Sequence, residues 1–555
     1  MEMKKLFYLP LFLFVFVISC KEKHIRIEEK VVVEKPAELG PTASEIIKAT
    51  LENAIENKHV DSFYVNFPTY VHAIYLQNDF ALLWTKDGKW LPKADSLFSF
   101  ISNSTAFGLF PQHYHIAQIQ KLRHQTISDT AKRDSKLDAS LWAKTELILT
   151  SSFVQIVKDL KIGRLIKDDI VLKDTLLKKE FFVQSFANYQ QKHDAEFATA
   201  LEPKHTAYHE LKGALQNFLA TADLRPYTYV DPLDSANINK LVQQRLSEED
   251  ETIQAMPLFD SIQLGIAIID YQERKGLKND GKIGPEVIGT LNATDHQKFT
   301  RIAVTLDRYK QLPKLPKQYL WVNIPSFRLV LKENDSTVIT SKVVVGKPVT
   351  RTPVLTSSIS DMITYPKWHI PNSIIKNDIL PNLKKDPGYL ARKGYSLWDW
   401  KGVEVDPFSV DWTRFEKEIP YQVIQGSGDD NALGVIKFNF PNKHAVYLHD
   451  TNQRSLFSRQ KRALSHGCVR VESWRELAYY LLEKDNGNKN AVPLDSLQTW
   501  LNLKEKRVIP LRKRVPLYIR YFTCEAKEGD VVFYDDIYGE DKRLSDEYFL
   551  TKKIL

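Results

Sequence analysis

Apolar side chains recur at helical spacing through the N-terminal part of the chain. In residues 44–58, SEIIKATLENAIENK, they stand three and four positions apart behind a serine suited to cap a helix. The pattern returns over residues 137–165 and stops near Gly163, a residue type that commonly follows the end of a helix. We therefore predict a helical scaffold domain over residues 46–235.

A second stretch, residues 236–295, alternates helical runs with short turn signals. Gly276 follows one apolar-periodic run as a C-cap, Asp280–Gly281 marks a turn, and Pro285 suits the first turn of another helix. Taken by themselves, these residues predict a small helical module that is separate from the domain before it.

From about residue 318 the spacing of apolar residues changes from the helical period to alternation. YLWVNIPSFRLVLKENDSTVITSKVVVG contains two alternating runs around an END turn, and VIKFNF, HAVYLHD and HGCVRVE follow as shorter strand-like pieces. Residues 318–545 are therefore predicted as a β-rich domain, which makes the chain a multi-domain α+β protein. Residues 372–430 interrupt the strands with a helical run and an aromatic stretch, and we expect this insertion to act as a lid.

The first twenty residues have the pattern of an export signal. A charged start precedes the apolar run LFYLPLFLFVFV, which is too short for a membrane span and ends in VISC. This ending resembles a bacterial lipobox, so we expect a signal peptide over 1–19, a lipid on Cys20 and a charged tether over 20–45. The protein would then be anchored to a bacterial membrane in the periplasm. A plain signal peptide with a chance cysteine is the alternative.

Composition narrows the classes of function. The 555 residues include 77 basic and 69 acidic side chains, and the net charge of +8 is spread along the chain. Without a basic block, the sequence does not predict binding to nucleic acid. Three cysteines are too few for a disulfide framework.

Candidate chemistry concentrates in RALSHGCVRVES, residues 462–473. Cys468 stands there among small residues, and His449 follows an alternating run nineteen residues upstream. If both segments are neighbouring strands, their connection can bring the imidazole to the thiol. The amides around Gly467 and Cys468 could face a developing oxyanion. The alternatives are a buried structural thiol, or a zinc site built from the nearby histidines and Cys468, although the spacings match no common zinc pattern.

The block HAVYLHDTNQRSLFSRQKRALSHGCVRVES resembles the active-site signature of the YkuD family of L,D-transpeptidase catalytic domains. The resemblance implies that Cys468 is the acylated nucleophile and that His449 is its general base. It also implies that the backbone carbonyl of Asp450 orients the imidazole. A papain-like peptidase is disfavoured because its nucleophile precedes its histidine in the chain.

The same resemblance assigns supporting roles around the nucleophile. Ser465, His466 and Gly467 would shape the oxyanion side. Tyr447 would share the face of the catalytic histidine on a strand, either lining the substrate pocket or packing in the core. Arg470 departs from the asparagine that many members carry there, so it either binds a substrate carboxylate or braces the loop.

Other segments extend the resemblance to the large, multi-domain branch of the family. Residues 236–295 resemble the three-helix peptidoglycan-binding domain through Tyr271-Gln272, Gly276-Leu277, Asp280-Gly281, Ile283-Gly284-Pro285 and Leu291-Asn292. This implies contacts with glycan strands. Trp398 and Trp400 of the insertion could cover a bound stem peptide or pack within the insertion.

The resemblance implies a cysteine-dependent acyl transfer that needs no cofactor or metal. Its substrates would be peptidoglycan stem peptides, its product a 3→3 cross-link formed through a thioester, and carbapenems its covalent inhibitors. Two other functions stay open. One is an L,D-carboxypeptidase that releases terminal D-Ala, and the other is a non-catalytic lipoprotein that binds peptidoglycan.

Overall fold

The computed structural model describes residues 30–57, 65–131, 136–165, 177–249, 260–485 and 492–549. The predicted signal peptide and Cys20 lie outside the described residues. Across the described ranges, no helix has both the length and the apolarity needed to cross a membrane. The chain divides into two units. The first comprises residues 1–102, 111–158 and 176–200. The second comprises residues 103–110, 159–175 and 201–555.

The first unit is helical, as the spacing of its apolar residues predicts. Its helices are Pro36–Asn57, Pro68–Gln77, Pro92–Ser102, Ile116–Thr130, most of Ala139–Lys161, Lys179–Gln191 and most of Asp194–Leu201, and short strands occur at Val32–Val33, Thr85–Lys86, Lys89–Trp90 and Leu137–Asp138. The first helix begins at Pro36 and buries Leu39 and Ala43, so the prediction of a tether as far as residue 45 is wrong for residues 36–45.

A buried carboxylate holds the longest helix of this unit to a neighbouring loop. Glu146 is fully buried and accepts hydrogen bonds from Tyr75 Oη at 2.9 Å, from the amides of Leu83 and Trp84 at 2.8 and 3.0 Å, and from Thr85 Oγ1 at 2.8 Å. Burial raises the pKa of Glu146. The four donors satisfy a group that would otherwise be costly to bury.

The second unit contains the predicted small helical module. Its helices are Ile238–Ser247, Ser261–Arg274 and Pro285–Asn292. Asp260 and Gln263 form a capping box at the start of the middle helix, and the Gln272 side chain accepts from the amides of Asp280 and Gly281, which fixes the predicted turn. The helices and turns of this module are therefore as predicted.

The β-rich domain is built on one large sheet. In the described part of the chain its strands are β1 (Gln318–Asn323), β2 (Arg328–Glu333), β3 (Ser336–Gly346), β4 (Leu355–Thr364), β5 (Ile436–Asn439), β6 (Leu448–His449), β7 (Ala463–Ser465), β8 (Val469–Val471) and β9 (Arg507–Arg520). The spatial order is β7-β3-β8-β6-β5-β4-β9-β1-β2, and β2 also pairs with β3, which closes the sheet on itself. Strands β6 and β8 run parallel, which is decisive for the site below.

One face of this sheet carries the core. The alternating residues Leu320, Val322, Leu329, Leu331, Met362, Ile436, Phe438, Leu448, Val469, Val471, Leu517 and Ile519 are buried there with helix Trp474–Asp485 and helix Leu494–Asn502. A second core joins helices Thr206–Leu219 and Asp295–Lys310 to the hairpin of Cys524–Lys527 and Asp530–Phe533. Helix Glu540–Leu544 follows, continued by a wider helical turn at Ser545–Phe549.

The predicted insertion forms a layer of its own. Strands Glu404–Val405, Tyr395–Trp398, Gln422–Gln425 and Trp368–His369 form a small sheet in that order, beside the helical turns Asn372–Ile374, Ile375–Ile379, Leu380–Leu383 and Tyr389–Arg392. These elements bury a separate cluster that includes Ile379, Leu383, Leu397, Trp412 and Val423. The break in alternation at residues 372–430 therefore marks a real structural insertion.

Candidate active site

Three polar side chains occupy adjacent register positions on neighbouring strands, on the face of the sheet opposite the core. Lys437 of β5 is in register with His449 of β6, and His449 is in register with Arg470 of β8. The residues next to Lys437 and Arg470 on both sides, and Leu448 before His449, are core residues, so alternation turns all three to the other face. Residues directly opposite each other on neighbouring strands lie close enough to interact.

Cys468 immediately precedes β8 and lies close to His449 and Arg470. The amide of Val469 donates to the Tyr447 carbonyl at 3.1 Å, which fixes the cysteine beside β6. Cys468 and His449 line one pocket, together with Tyr447 and Arg470. The parallel pairing of β6 and β8 therefore brings the predicted nucleophile and the predicted base to one side of the sheet.

Burial determines the protonation state of His449. The side chain is 4% exposed, and burial, with Arg470 as the second cause, lowers its pKa to about 3. The carbonyls of Asp450 and Leu433 oppose this shift, although Nδ1 makes no hydrogen bond of normal geometry. The Tyr447 ring packs edge-on at 5.6 Å between centroids. The imidazole is therefore neutral at neutral pH and able to accept a proton.

The thiol of Cys468 is also neutral. Burial raises its pKa above the ordinary value, while hydrogen bonds from the backbone and hydroxyl of Tyr447 and the charges of Lys437 and Arg470 act in the opposite direction. A protonated thiol beside a neutral imidazole calls for a base that removes the proton as the sulfur attacks. The arrangement therefore suits general-base activation rather than a preformed ion pair.

The turn before the nucleophile has a conformation that favours glycine. Gly467 has φ +118°, and its carbonyl accepts from Thr352 Oγ1 at 2.8 Å. Its amide donates to Ser465 Oγ at 3.1 Å, and that hydroxyl donates to the Cys468 carbonyl at 2.6 Å. The Gly467 amide is thus engaged by Ser465 in this structure, and the prediction that it faces the oxyanion stays a prediction.

His466 joins the nucleophile's turn to the insertion. Its Nε2 lies 2.7 Å from Oδ2 of Asp378, which belongs to the helical turn Ile375–Ile379. His466 also lines the pocket, as do Ser465 and, from the insertion, Ile374. The lid prediction thus gains a specific contact between the insertion and the turn at the thiol.

Asp450 supports the site without lining the pocket. Its carboxylate accepts from the Val435 amide at 3.1 Å and from Arg454 Nη1 at 2.8 Å. Burial raises the pKa of this carboxyl group. These bonds of the carboxylate hold the segment after β6 in place, and the positioning role of the Asp450 carbonyl stays a prediction.

Arg470 contacts both a neighbouring loop and the pocket. Its Nη1 donates to Gln453 Oε1 at 3.2 Å, while its Nε is buried with no hydrogen-bond partner in the described chain. Arg470 therefore contacts the loop through Gln453 and also lines the pocket, so both predicted roles stay predictions.

Sequence reasoning missed Lys437 and Trp368. Lys437 is the polar position of the alternating run VIKFNF, a signal that was visible in the sequence. Trp368 lines the pocket, whereas Trp398 and Trp400 are not among its described lining residues, and Trp400 is 69% exposed. No sequence pattern distinguishes Trp368 from these two.

Comparisons with known proteins match two regions of the chain. Residues 317–492 match the family model of the L,D-transpeptidase catalytic domain, YkuD, and residues 69–215 match a model described as a scaffold domain. A curated relative, a putative L,D-transpeptidase of Haemophilus influenzae, is 38% identical over 245 residues, which are 44% of this chain and 49% of the relative. The match thus spans about half the length of that relative.

Solved structures resemble this chain only distantly. An L,D-transpeptidase from Mycobacterium smegmatis is 11% identical, with 37% of this chain and 58% of that chain covered and a TM-score of 0.18. One from Enterococcus faecium is 11% identical, with 38% and 52% covered and a TM-score of 0.15. Likeness at this level carries no argument about activity.

The fold and the site place a thiol and a histidine in one pocket of this domain. Residues 317–492 belong to the YkuD family of L,D-transpeptidase catalytic domains, as the signature around Cys468 predicted. Membership of the large, multi-domain branch stays a prediction.

Proposed function

We propose that this protein is a cysteine-dependent L,D-transpeptidase that forms 3→3 cross-links between peptidoglycan stem peptides. The observation that carries the proposal is that Cys468 and His449 line one pocket on the same face of the sheet. The family match of residues 317–492 supports the class of reaction.

The proposed reaction has two acyl transfers. His449 takes the thiol proton as the Cys468 sulfur attacks the carbonyl that joins the L-centre of the third stem residue to terminal D-Ala. The tetrahedral oxyanion collapses, the carbon–nitrogen bond breaks, and His449 returns the proton to the departing D-Ala amine. The thioester remains on Cys468.

In the second transfer, the thioester on Cys468 is the acyl donor and the sulfur is the leaving group. The side-chain amine of a neighbouring stem attacks the thioester, and His449 accepts a proton from that amine. The new amide forms, the carbon–sulfur bond breaks, and the proton returns to sulfur. Water in place of the amine would make the same machinery an L,D-carboxypeptidase, so the acceptor decides between the two activities.

Product analysis separates these activities. Purified wild-type protein, Cys468→Ala and Cys524→Ala are incubated with disaccharide tetrapeptides, and the products are analysed by mass spectrometry. Cys524 is the matched control because it is fully buried against Thr305, at 3.2 Å from its hydroxyl, and burial raises its thiol pKa to about 12. We expect 3→3 dimers from wild type and Cys524→Ala, and none from Cys468→Ala.

Other products would support one of the two alternative functions. Tripeptides without dimers would identify a carboxypeptidase. No product from wild type, and no carbapenem adduct on Cys468, would favour the non-catalytic wall-binding lipoprotein.

Two further parts of the proposal concern location and binding. We propose that Cys20 carries the lipid that holds the protein in the periplasm, a proposal that loses its support if Cys20→Ala still incorporates labelled palmitate. We also propose that residues 236–295 bind glycan strands. Cosedimentation of the full Cys468→Ala chain with isolated sacculi tests this, and failure to sediment would contradict it.

A further inference from the structure

Lys437 is a charged residue close to the nucleophile that does not line the substrate pocket. It is half-buried on β5, in register with His449, and its Nζ lies 3.9 Å from the centroid of the Tyr447 ring. An ammonium group at that distance is attracted by the face of the ring, so the ring holds Lys437 in place.

Tyr447 connects this cation to the sulfur. Tyr447 and Cys468 line the same pocket, and the amide after Cys468 donates to the Tyr447 carbonyl at 3.1 Å. Burial raises the pKa of the Cys468 thiol, while the Tyr447 hydroxyl and the charge of Lys437 act in the opposite direction. The Tyr447 ring therefore contacts Lys437 with its face and lies beside the thiol, whereas Lys437 is not among the described lining residues of the pocket.

Two neighbouring groups partly offset the effect of burial on Lys437. Burial lowers the pKa of its ammonium group, while Cys468 and Asp361 favour the charged form. His449 and Arg470 are the other titratable or charged groups on this face of the neighbouring strands. His449 is neutral before it accepts the thiol proton, so at that stage Lys437 and Arg470 carry the positive charge on this face, and of these two Arg470 lines the pocket.

A buried thiol that loses its proton needs opposite charge already in place. We propose that Lys437, held by the face of the Tyr447 ring, is a positioning residue that supplies this fixed counter-charge to Cys468 while His449 removes the proton. The proposal rests on the proposed function, because it assigns Lys437 a part in the same acyl transfer. Arg470, by contrast, remains free to interact with the substrate.

The test measures alkylation of Cys468 by iodoacetamide across a range of pH. The thiolate sulfur displaces iodide to form a thioether, and mass mapping of the Cys468 peptide gives the rate at each pH. Lys437→Met removes the charge, Lys437→Arg keeps it, and Lys461→Met removes a lysine whose side chain is 83% exposed as the matched control. Lys437→Gln is a second neutral variant should Lys437→Met not fold.

We expect the neutral variants to move the alkylation profile to higher pH, with alkylation at a fixed pH slower by about tenfold, as a shift of roughly one pKa unit implies. Lys437→Arg and Lys461→Met should follow wild type. With tetrapeptide substrate, Lys437→Met should lower kcat with little change in KM, because Lys437 does not line the pocket.

Unchanged alkylation profiles in folded neutral variants would overturn the proposal. An equal shift in Lys437→Arg would also overturn it, because shape rather than charge would then be responsible. Alkylation requires no transpeptidase activity. If wild type makes no dimers, the proposed function fails, whereas an unchanged profile removes only the role of Lys437.

Discussion

At the scale of single residues, the neutral His449 defines the chemistry. An ordinary imidazole would be partly protonated in the acid range, but burial holds its pKa at about 3. The pair of Cys468 and His449 therefore carries no net charge before reaction. Loss of the base should slow thioester formation by about a hundredfold or more, the range that general-base catalysis supplies.

The same burial predicts an acid-dependent loss of stability. The unfolded chain protonates this histidine near pH 6.5, whereas the folded chain does so near pH 3. Between these values the unfolded state binds more protons, so the contribution of His449 to stability is complete above pH 6.5 and is lost as the pH falls towards 3. His449→Gln, which does not titrate, should lose less stability between pH 7 and pH 4.

Urea unfolding at both pH values, followed by pulse proteolysis of residues 318–545, measures this difference. His369→Gln is the matched control because His369 is exposed on the insertion. Equal losses in wild type and His449→Gln would show that the buried imidazole does not titrate as described.

Residue roles were predictable only where a motif fixes them. The signature around Cys468 predicts the nucleophile and base, and alternation alone predicts that His449 and Tyr447 share a face. The bond from the Gly467 amide to the hydroxyl of Ser465 could not be predicted, because no spacing reveals it. Lys437 was missed although alternation placed it on the polar face, because no local pattern gives its register with His449.

At the scale of elements, the pairing of β6 and β8 assembles the site. Strand β6 has two residues and β8 has three, so hydrogen bonds alone give little support. Their apolar residues Leu448, Val469 and Val471 are fully buried, and this burial fixes the register. A one-residue slip would turn His449 into the core.

The contact between Asp378 and His466 predicts how the insertion is held. Asp378→Ala removes the partner at 2.7 Å and should loosen the helical turns at 372–383 from the catalytic turn. We expect several-fold faster hydrogen exchange of amides in these turns and faster alkylation of Cys468. Mass spectrometry of the exchanged peptides measures the change.

Glu416→Ala is the control for this experiment, since Glu416 is an exposed acidic residue of the same insertion. Unchanged exchange and alkylation in Asp378→Ala would mean that the contact between Asp378 and His466 does not hold the insertion. The sequence indicated the insertion by its broken alternation, but this contact joins residues 88 positions apart and is not readable from any local pattern.

At the scale of the whole molecule, the order of helical and alternating segments was predictable. The helical segments, the small module at 236–295 and the β-rich region all appear with the expected secondary structure. The start of the first helix was not predicted, because Pro36 and the polar residues after it resemble a linker although Leu39 and Ala43 are buried. The closed sheet was also unreadable, since β9 pairs with both β1 and β4 across long separations.

The most direct test of the account is the acyl-enzyme itself. Wild-type protein is mixed with disaccharide tetrapeptide, quenched in acid and mapped by mass spectrometry. The account predicts that the peptide containing Cys468 gains the donor without its terminal D-Ala, and that His449→Gln accumulates this adduct about a hundredfold more slowly or worse. An adduct on another residue, or equal rates in wild type and His449→Gln, would contradict it.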